Sequence, residues 1–288
     1  MKRVIFTIFD DIEATTLVEE LSRIKFNEYF ERLLKNKEMY AKKIGVDFRF
    51  YHNTFKSGYL GVEDDYVAIN LYKHQLLDSL ARKYDEVMYV DFDVVFNTDE
   101  NVFESIDLSK GIGVKDQDNE IVSKDINGSA IIEIPKRSPT LKYHITRELL
   151  QKDCHVINTA IMIGKSEDIL KIKFNERFVE INEQIENLID PWHFIKCQFY
   201  PNNEAVFSYI IEKYNVPYQI LDDEYHDIRD HQITKRPLGK VIHFINKIFN
   251  IYFDDKKKII FSIYIDIPDD KLDDPGNYEW DSISKSKR

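Results

Sequence analysis

Glu86-Val87-Met88-Tyr89-Val90-Asp91-Phe92-Asp93-Val94-Val95-Phe96 is an apolar run interrupted only by two carboxylates two residues apart. A short run this rich in Val and aromatic residues reads as a β-strand buried on both faces. Successive strand residues point to opposite faces, so this reading sends Asp91 and Asp93 the same way and Phe92 into the core. Two hard oxygen donors then converge at one strand end. Mg²⁺ and Mn²⁺ are commonly held by one or two such carboxylates, with phosphate oxygens and water completing the shell. The bare pattern is weak in an acidic chain, and Asp116 with Asp118 supplies a second copy in the polar stretch from Lys115 to Glu120. The first copy differs in context: it ends an apolar strand, where open α/β sheets place their ligands. Its competing reading is a pair of solvated loop carboxylates capping nearby amides.

On the N-terminal side, Val4 to Phe9 reads as a strand, and Phe26, Phe30, Leu33, Tyr40 and Ile44 recur at helical spacing. Asp47 to His52 alternates as a second strand, and Tyr66 to Tyr84 repeats the helical rhythm. Strand, helix, strand, helix, strand predicts a parallel sheet with right-handed crossovers. Beyond Phe96 the expected order is a charged loop from Lys110 to Lys124, a strand Gly128 to Ile134 and a helix Thr140 to Gln151. A strand His155 to Gly164, a helix Lys165 to Leu188, a loop Pro191-Trp192-His193-Phe194 and a helix Asn203 to Tyr214 follow. Strands Tyr218 to Leu221 and Val241 to Phe244 come next, the second after the basic stretch Lys235 to Lys240. Ile259 to Ile265 is expected as an appended edge strand, and residues beyond about 272 as a mobile tail. No internal repeat interrupts this order.

With 288 residues and 43% apolar content the chain can bury a large core. A net charge of -11 argues against nucleic acid as the main partner, because phosphate backbones are bound by clustered Lys and Arg. A nucleotide is still admissible where a metal screens it. Cys154 and Cys197 alone predict no disulfide framework and no Cys-based zinc site. Asp10 and Asp11 cut the N-terminal apolar run after six residues, so it is read as a strand rather than a signal peptide. No run of 18 apolar residues occurs, which predicts a soluble, cytoplasmic protein without a transmembrane segment. The short clusters Lys256 to Lys258 and Lys285 to Arg288 read as solvated surface. Abundant Ile, Lys, Asp, Phe and Tyr with few Gly suggest an AT-rich genome, microbial or viral, and in the viral case a host cytoplasm.

In this order the features resemble the glycogenin-like and bacterial galactosyltransferase-like glycosyltransferases of family 8, over residues 1 to about 250. The resemblance implies an α/β fold of the GT-A type, a Rossmann-like mixed central sheet flanked by helices. It implies one catalytic domain, residues 1–250, with a nucleotide-binding half (1–110) and an acceptor and donor-sugar half (111–250), plus an extension (251–288). Uridine binding would fall on Phe6, Thr7, Ile8 and Asp10, and a contact to the sugar nucleotide on Lys73, which otherwise reads as part of a solvated helix face. Asp91 and Asp93, flanking Phe92, match the DxD carboxylates that bind Mn²⁺ (or Mg²⁺) and the diphosphate. Asn158-Thr159-Ala160-Ile161-Met162 resembles the family's Asn-Ser-Gly-Val-Met strand, with Ala160 in place of Gly, and Asn202-Asn203-Glu204 stands where the family has Asp-Gln-Asp. His243 matches the third metal ligand of a motif HxGxxKPW. From that motif the chain departs: Ile245 replaces Gly, Lys247, the diphosphate clamp, falls one position early, and Pro-Trp is absent.

The implied reaction moves glucose or galactose from UDP-glucose or UDP-galactose to a hydroxyl of a glycan, protein or lipid, with retention. Asp93, Asn158 and Glu204 are the catalytic candidates. An inverting transferase on the same fold would need a base, and Asp190 or Glu204 could serve. Trp192 and His193 read either as an acceptor platform or as a core plug. A haloacid dehalogenase-type phosphohydrolase also fits Asp91-Phe92-Asp93, with Asp222-Asp223 as its later acidic pair, but two β-α units precede a nucleophile that such a fold carries on its first strand. An inactive sugar-nucleotide-binding protein is the third reading, suggested by the altered last motif.

Overall fold

A computed structural model of the protein describes residues 1–13, 17–117, 139–189, 203–229, 239–244, 251–252 and 260–261. Its contacts divide the chain into two compact units interleaved in sequence. The first comprises Met1–Ile12, Arg49–Val90 and Phe103–Leu221, and the second Glu13–Phe48, Asp91–Val102 and Asp222–Arg288.

The first unit is built on a mixed six-stranded sheet. Strands β1 (Arg3–Phe9), β2 (Asp47–His52), β3 (Glu86–Val90), β5 (Ile112–Asp116), β6 (Ile157–Lys165) and β7 (Tyr218–Ile220) lie in the order β2-β1-β3-β6-β5-β7. β1 and β3 pair in parallel, as the β-α-β pattern predicts, whereas β6 runs antiparallel to both β3 and β5. Helix α2 (Asp65–Ala81) begins where the Asp64 carboxylate accepts the Val67 amide, 3.1 Å away, filling one of the orphan donors of the first turn. Its Leu71, Leu77 and Leu80 join Val4, Phe6 and Tyr89 of the sheet in one apolar core. Helices α5 (Ser166–Ile172), α6 (Phe174–Ile189) and α7 (Asn203–Lys213) complete that core through Ile169, Phe178 and Phe207, while α4 (Pro139–Leu150) adds Ile145.

The second unit contains helix α1 (Leu17–Ile44) and a three-stranded sheet ordered β4-β9-β8, formed by β4 (Val94–Phe96), β8 (Asp227–Arg229) and β9 (Val241–Phe244). β9 runs antiparallel to β4 and parallel to β8. Two further short strands, β10 (Ile251–Tyr252) and β11 (Ile260–Phe261), pair with each other, and the single-turn helix α3 (Val102–Ser105) follows β4 in sequence.

Several expectations are corrected. The run Glu86 to Phe96 is two strands in two sheets: β3 stops at Val90, Asp91-Phe92-Asp93 forms a turn, and β4 resumes at Val94. The predicted helix Lys165 to Leu188 is broken into α5 and α6 at Lys173, whose φ of 47° lies in the left-handed region. The Arg177 guanidinium donates to the Lys171 and Ile172 carbonyls at that break and satisfies the end of α5. The predicted loop from Lys110 holds β5, and β8 was not expected at all. The expected strand Gly128 to Ile134, most of the edge strand Ile259 to Ile265, the tail and Cys197 lie outside the described residues.

One buried group in this core makes the fold sensitive to acid. His74 of α2 stacks on Phe174 with ring centroids 3.8 Å apart, and neither ring nitrogen has a hydrogen-bond partner among the described residues. Burial, reinforced by neighbouring Lys73, holds the ring well below the usual 6.5. The unfolded ring therefore takes up a proton near pH 6.5 while the folded ring does not, so stability present above that pH is lost as the pH falls, by about 1.4 kcal/mol per unit. In denaturation curves between pH 8 and 4.5, His74→Phe should gain on the wild type progressively below pH 6.5. A constant difference across that range would contradict the assignment.

Candidate metal centre

One face of α1 grips the segment from Phe92 to Val102. Asn36 donates from Nδ2 to the Phe96 carbonyl (2.9 Å) and accepts the Phe96 amide at Oδ1 (2.8 Å), as a neighbouring strand would. One turn on, Tyr40 stacks on Phe96 at 4.0 Å, and its hydroxyl donates to the Glu100 carbonyl and accepts the Val102 amide. Between them the fully buried Lys37 ammonium donates to the carbonyls of Phe92 (2.8 Å) and Val94 (2.6 Å) and to Leu33 of its own helix (3.3 Å). Lys37 thus holds the backbone on both sides of Asp93. Burial pushes the ammonium down to about 7, opposed by the charges of Asp93 and Asp91. Phe92 lies beneath the turn against Phe26 and Phe30, and its ring also faces the Lys37 ammonium at 5.1 Å.

The turn is closed by the Val94 amide donating to the Asp91 carbonyl (3.0 Å). This turn, and not strand pleating, brings the two carboxylates together. The third group arrives by strand register, since His243 of β9 stands directly opposite Val94 of β4. Its Nε2 is 3.6 Å from Asp93 Oδ1, and one donor atom from each of Asp91, Asp93 and His243 lies within 4.8 Å of the others. Gly239 lets β9 start here: a Cβ at that position would sit 2.3 Å from the Asp227 Cβ, and the Gly239 amide donates to the Asp227 carboxylate. Asp93 and His243 are buried, and Asp91 is partly exposed.

Donors on a small octahedral ion stand about 3 Å apart when adjacent and about 4 Å when opposite, given bonds of about 2.1 Å. Asp93 Oδ1 and His243 Nε2, 3.6 Å apart, lie between those two separations, and with all three donors within 4.8 Å of one another the set fits such an ion once the side chains close inward. An oxygen-rich set with one nitrogen suits Mn²⁺ or Mg²⁺.

The first unit carries a separate polar cluster. Glu204, in the first turn of α7, is bonded by the Lys142 ammonium of α4, by Gln117 Nε2 (3.1 Å) and by the Thr159 amide (3.3 Å). Burial pushes the Glu204 carboxyl up, but Lys142, Lys73 and the Thr159 amide outweigh it and hold the group below its usual value. Asn203 donates to the Thr159 hydroxyl at 2.6 Å, and Asn158 Oδ1 accepts the Ala160 amide at 3.0 Å. The β6 segment singled out in the sequence is therefore tied to the start of α7. Lys142 was not singled out, because a Lys on an amphipathic helix reads as solvated, yet here it is buried.

The remaining sequence-predicted residues fall as follows. Phe6, Thr7 and Ile8 are buried in β1, with Phe6 packed against Tyr89. The Asp10 carboxylate accepts the amides of Thr54 (3.1 Å) and Phe55 (3.2 Å) and orders the chain after β2. Lys73 is buried rather than on a solvated face, with its ammonium 5.0 Å from the Tyr89 ring centroid. In the second Asp-x-Asp copy, Asp116 meets His155 Nδ1 at 2.7 Å, and Asp118 lies outside the described residues. Asp190, Trp192, His193, Asn202 and Lys247 also lie outside them.

No protein-family profile matches the chain, and no curated protein matches it by sequence. Among solved structures it is similar to a glycosyltransferase involved in glycosylation of the major capsid of PBCV-1, at 13% identity and a TM-score of 0.45, over 85% of this chain and 95% of that one. Mouse xyloside xylosyltransferase 1 is similar at 12% identity and a TM-score of 0.42, over 85% and 98%. The galactosyltransferase LgtC, solved with donor and acceptor sugar analogues, is similar at 12% identity and a TM-score of 0.44, over 84% and 87%. At likenesses this distant the chemistry of the site is read from the chain's own residues.

Lys37→Met should leave the Phe92 and Val94 carbonyls without their ammonium donor and loosen the turn between them. Amide hydrogen exchange at Val94 is expected to accelerate by about tenfold or more, with little change in β1 and β3. Unchanged Val94 protection would show that the ammonium does not hold the turn. Glu204→Ala strands the buried Lys142 ammonium and should cost about 3–5 kcal/mol in chemical denaturation, with Lys142→Met in the same chain recovering much of that loss. A cost below about 1 kcal/mol would mean that the pair is solvated in solution.

Proposed function

We propose that the chain is a glycosyltransferase of the GT-A type that transfers glucose or galactose from a UDP-sugar to an acceptor hydroxyl. The observation that carries this reading is the convergence of His243 on Asp91 and Asp93, from which it is remote in sequence, with one donor atom of each residue within 4.8 Å of the others. A bound Mn²⁺ or Mg²⁺ would supply positive charge to the departing diphosphate. Asp91 and Asp93 present their oxygens from a turn fixed by Lys37, so little reorganisation is required when charge develops. Asn158 and Glu204 are the donor-sugar residues that the family resemblance implies, and Lys247 its diphosphate clamp.

Transfer with retention is the preferred course. An inverting enzyme needs a carboxylate that accepts the acceptor's proton. Glu204 suits that role poorly, since a buried ammonium bonds it and its carboxyl is held below the usual range. It is better suited to accepting hydrogen bonds from sugar hydroxyls while remaining ionised.

A screen of UDP-sugars with Mn²⁺, read as UDP release, tests the reading. UDP-glucose or UDP-galactose should be turned over, and Asp93→Ala should lower the rate by about 10³-fold or more while leaving the circular dichroism spectrum intact. Wild-type-like turnover by Asp93→Ala would remove the metal site from the proposal. An inverted anomer in the NMR spectrum of the product would overturn retention. Phosphate release from simple esters, with no UDP-sugar turnover, would favour the phosphohydrolase instead.

A further inference from the structure

Asp93, His243 and a second histidine, His226, form a line inside the second unit. His243 presents Nε2 to Asp93 Oδ1 at 3.6 Å, and its Nδ1 lies 3.3 Å from Nε2 of His226. The two rings are tilted by 45° with centroids 5.4 Å apart, and His226 is completely buried. Its position is fixed by the backbone around it. The His226 amide donates to the Asp222 carbonyl (3.1 Å), and the Lys240 amide at the start of β9 donates to the Glu224 carbonyl (2.6 Å) of the same turn. The turn that carries His226 is thereby stitched to the strand that carries His243.

Two neutral imidazoles in this contact share one N–H between them, and the choice of donor sets what His243 offers to Asp93. If His226 Nε2 carries the hydrogen, His243 accepts it at Nδ1, and its own hydrogen sits on Nε2 facing Asp93. That arrangement suits a bare carboxylate and cannot bind a cation. If His243 Nδ1 carries the hydrogen and donates to His226 Nε2, the His243 Nε2 lone pair faces the two carboxylates. Only this second arrangement makes His243 a ligand, and His226 is the acceptor that makes it available. Metal-bound histidines are commonly oriented by an acceptor on the opposite nitrogen, and loss of that acceptor weakens metal binding.

We propose that His226 is a positioning residue of the metal centre: by accepting the Nδ1 hydrogen of His243 it selects the tautomer whose Nε2 joins Asp91 and Asp93 around a divalent cation. The inference rests on the metal reading given above and adds to it a residue outside the three ligands. The selection is between tautomers and involves no net gain or loss of a proton.

The test reads metal affinity and tautomer, neither of which requires turnover. Mn²⁺ binding to the full chain is measured by electron paramagnetic resonance for the wild type, His226→Phe and His226→Gln. His226→Phe keeps a ring but no acceptor and should bind about 10- to 100-fold more weakly. His226→Gln retains an oxygen acceptor and should remain within about threefold of the wild type. In the Mg²⁺-loaded wild type, ¹⁵N NMR should find the His243 hydrogen on Nδ1. Wild-type affinity in a folded His226→Phe chain, or a His243 hydrogen on Nε2 with Mg²⁺ bound, overturns the role of His226. Should His226→Phe not fold, the His226→Gln affinity and the wild-type NMR spectrum decide. A wild type that binds neither ion sinks the metal reading first, an outcome visible before any variant is made.

Discussion

An ammonium group buried between two backbone carbonyls is the contact on which the candidate site depends. Lys37 reaches Phe92 and Val94, the residues on either side of Asp93, and the turn Asp91-Phe92-Asp93 is held between them. A three-residue turn with two acidic side chains has no geometry of its own, because the carboxylates repel and compete for nearby amides. Burying a lone ammonium is costly, and the lowered pKa records that cost. Carbonyl acceptors compensate the Lys37 charge, and the nearby charges of Asp93 and Asp91 add to that compensation.

The same support explains why α1 is long and carries polar residues on a buried stripe. Leu33, Asn36, Lys37 and Tyr40 lie on one helical face. Leu33 is the apolar member of that stripe, while Asn36 and Lys37 satisfy backbone groups of the 92–96 segment and the Tyr40 hydroxyl those of Glu100 and Val102. On the far side of β4, register does the remaining work. Pairing Val94 with His243 fixes the imidazole next to Asp93, and a slip of one residue would turn it to the opposite face. The close approach of Gly239 to Asp227 sets where β9 begins and so protects that register.

Elements whose periodicity is strong were legible in the sequence. β1 and β2 are found within a residue of the predicted limits and α2 within three, because their apolar spacing is set by burial on one face or two. β5 was hidden because its apolar positions are Ile112 and Val114, set among Gly111, Gly113, Lys115 and Asp116; it is a strand because β6 and β7 pair with it from both sides. The break after Val90 was hidden for the opposite reason: apolar residues on both sides of the carboxylates make two strands in different sheets look like one. The structure does bring one donor atom each of Asp91, Asp93 and His243 within 4.8 Å of the others, His243 having been singled out by family motif and the two carboxylates by a strand pleating that the turn replaces. Lys37, Lys142 and His226 carried no signal, since their importance lies in which distant backbone or side-chain atom they meet.

The charge distribution bears on why such a site would need a divalent ion at all. The chain carries a net charge of -11, and three of its lysines are buried among the described residues within contacts of their own. Lys37 bonds carbonyls, Lys142 bonds Glu204, and Lys73 lies over the Tyr89 ring. Each offsets an internal need for positive charge, in two cases where burial would otherwise leave a polar group unsatisfied. A diphosphate approaching an acidic chain meets repulsion that these committed cations do little to relieve. Two carboxylates beside the diphosphate would worsen it, unless an ion of charge two binds them and the phosphate oxygens together. Under the proposed function Asp91 and Asp93 would therefore act as a metal site, and the imidazole of His243 would complete the set as a ligand that adds no further negative charge.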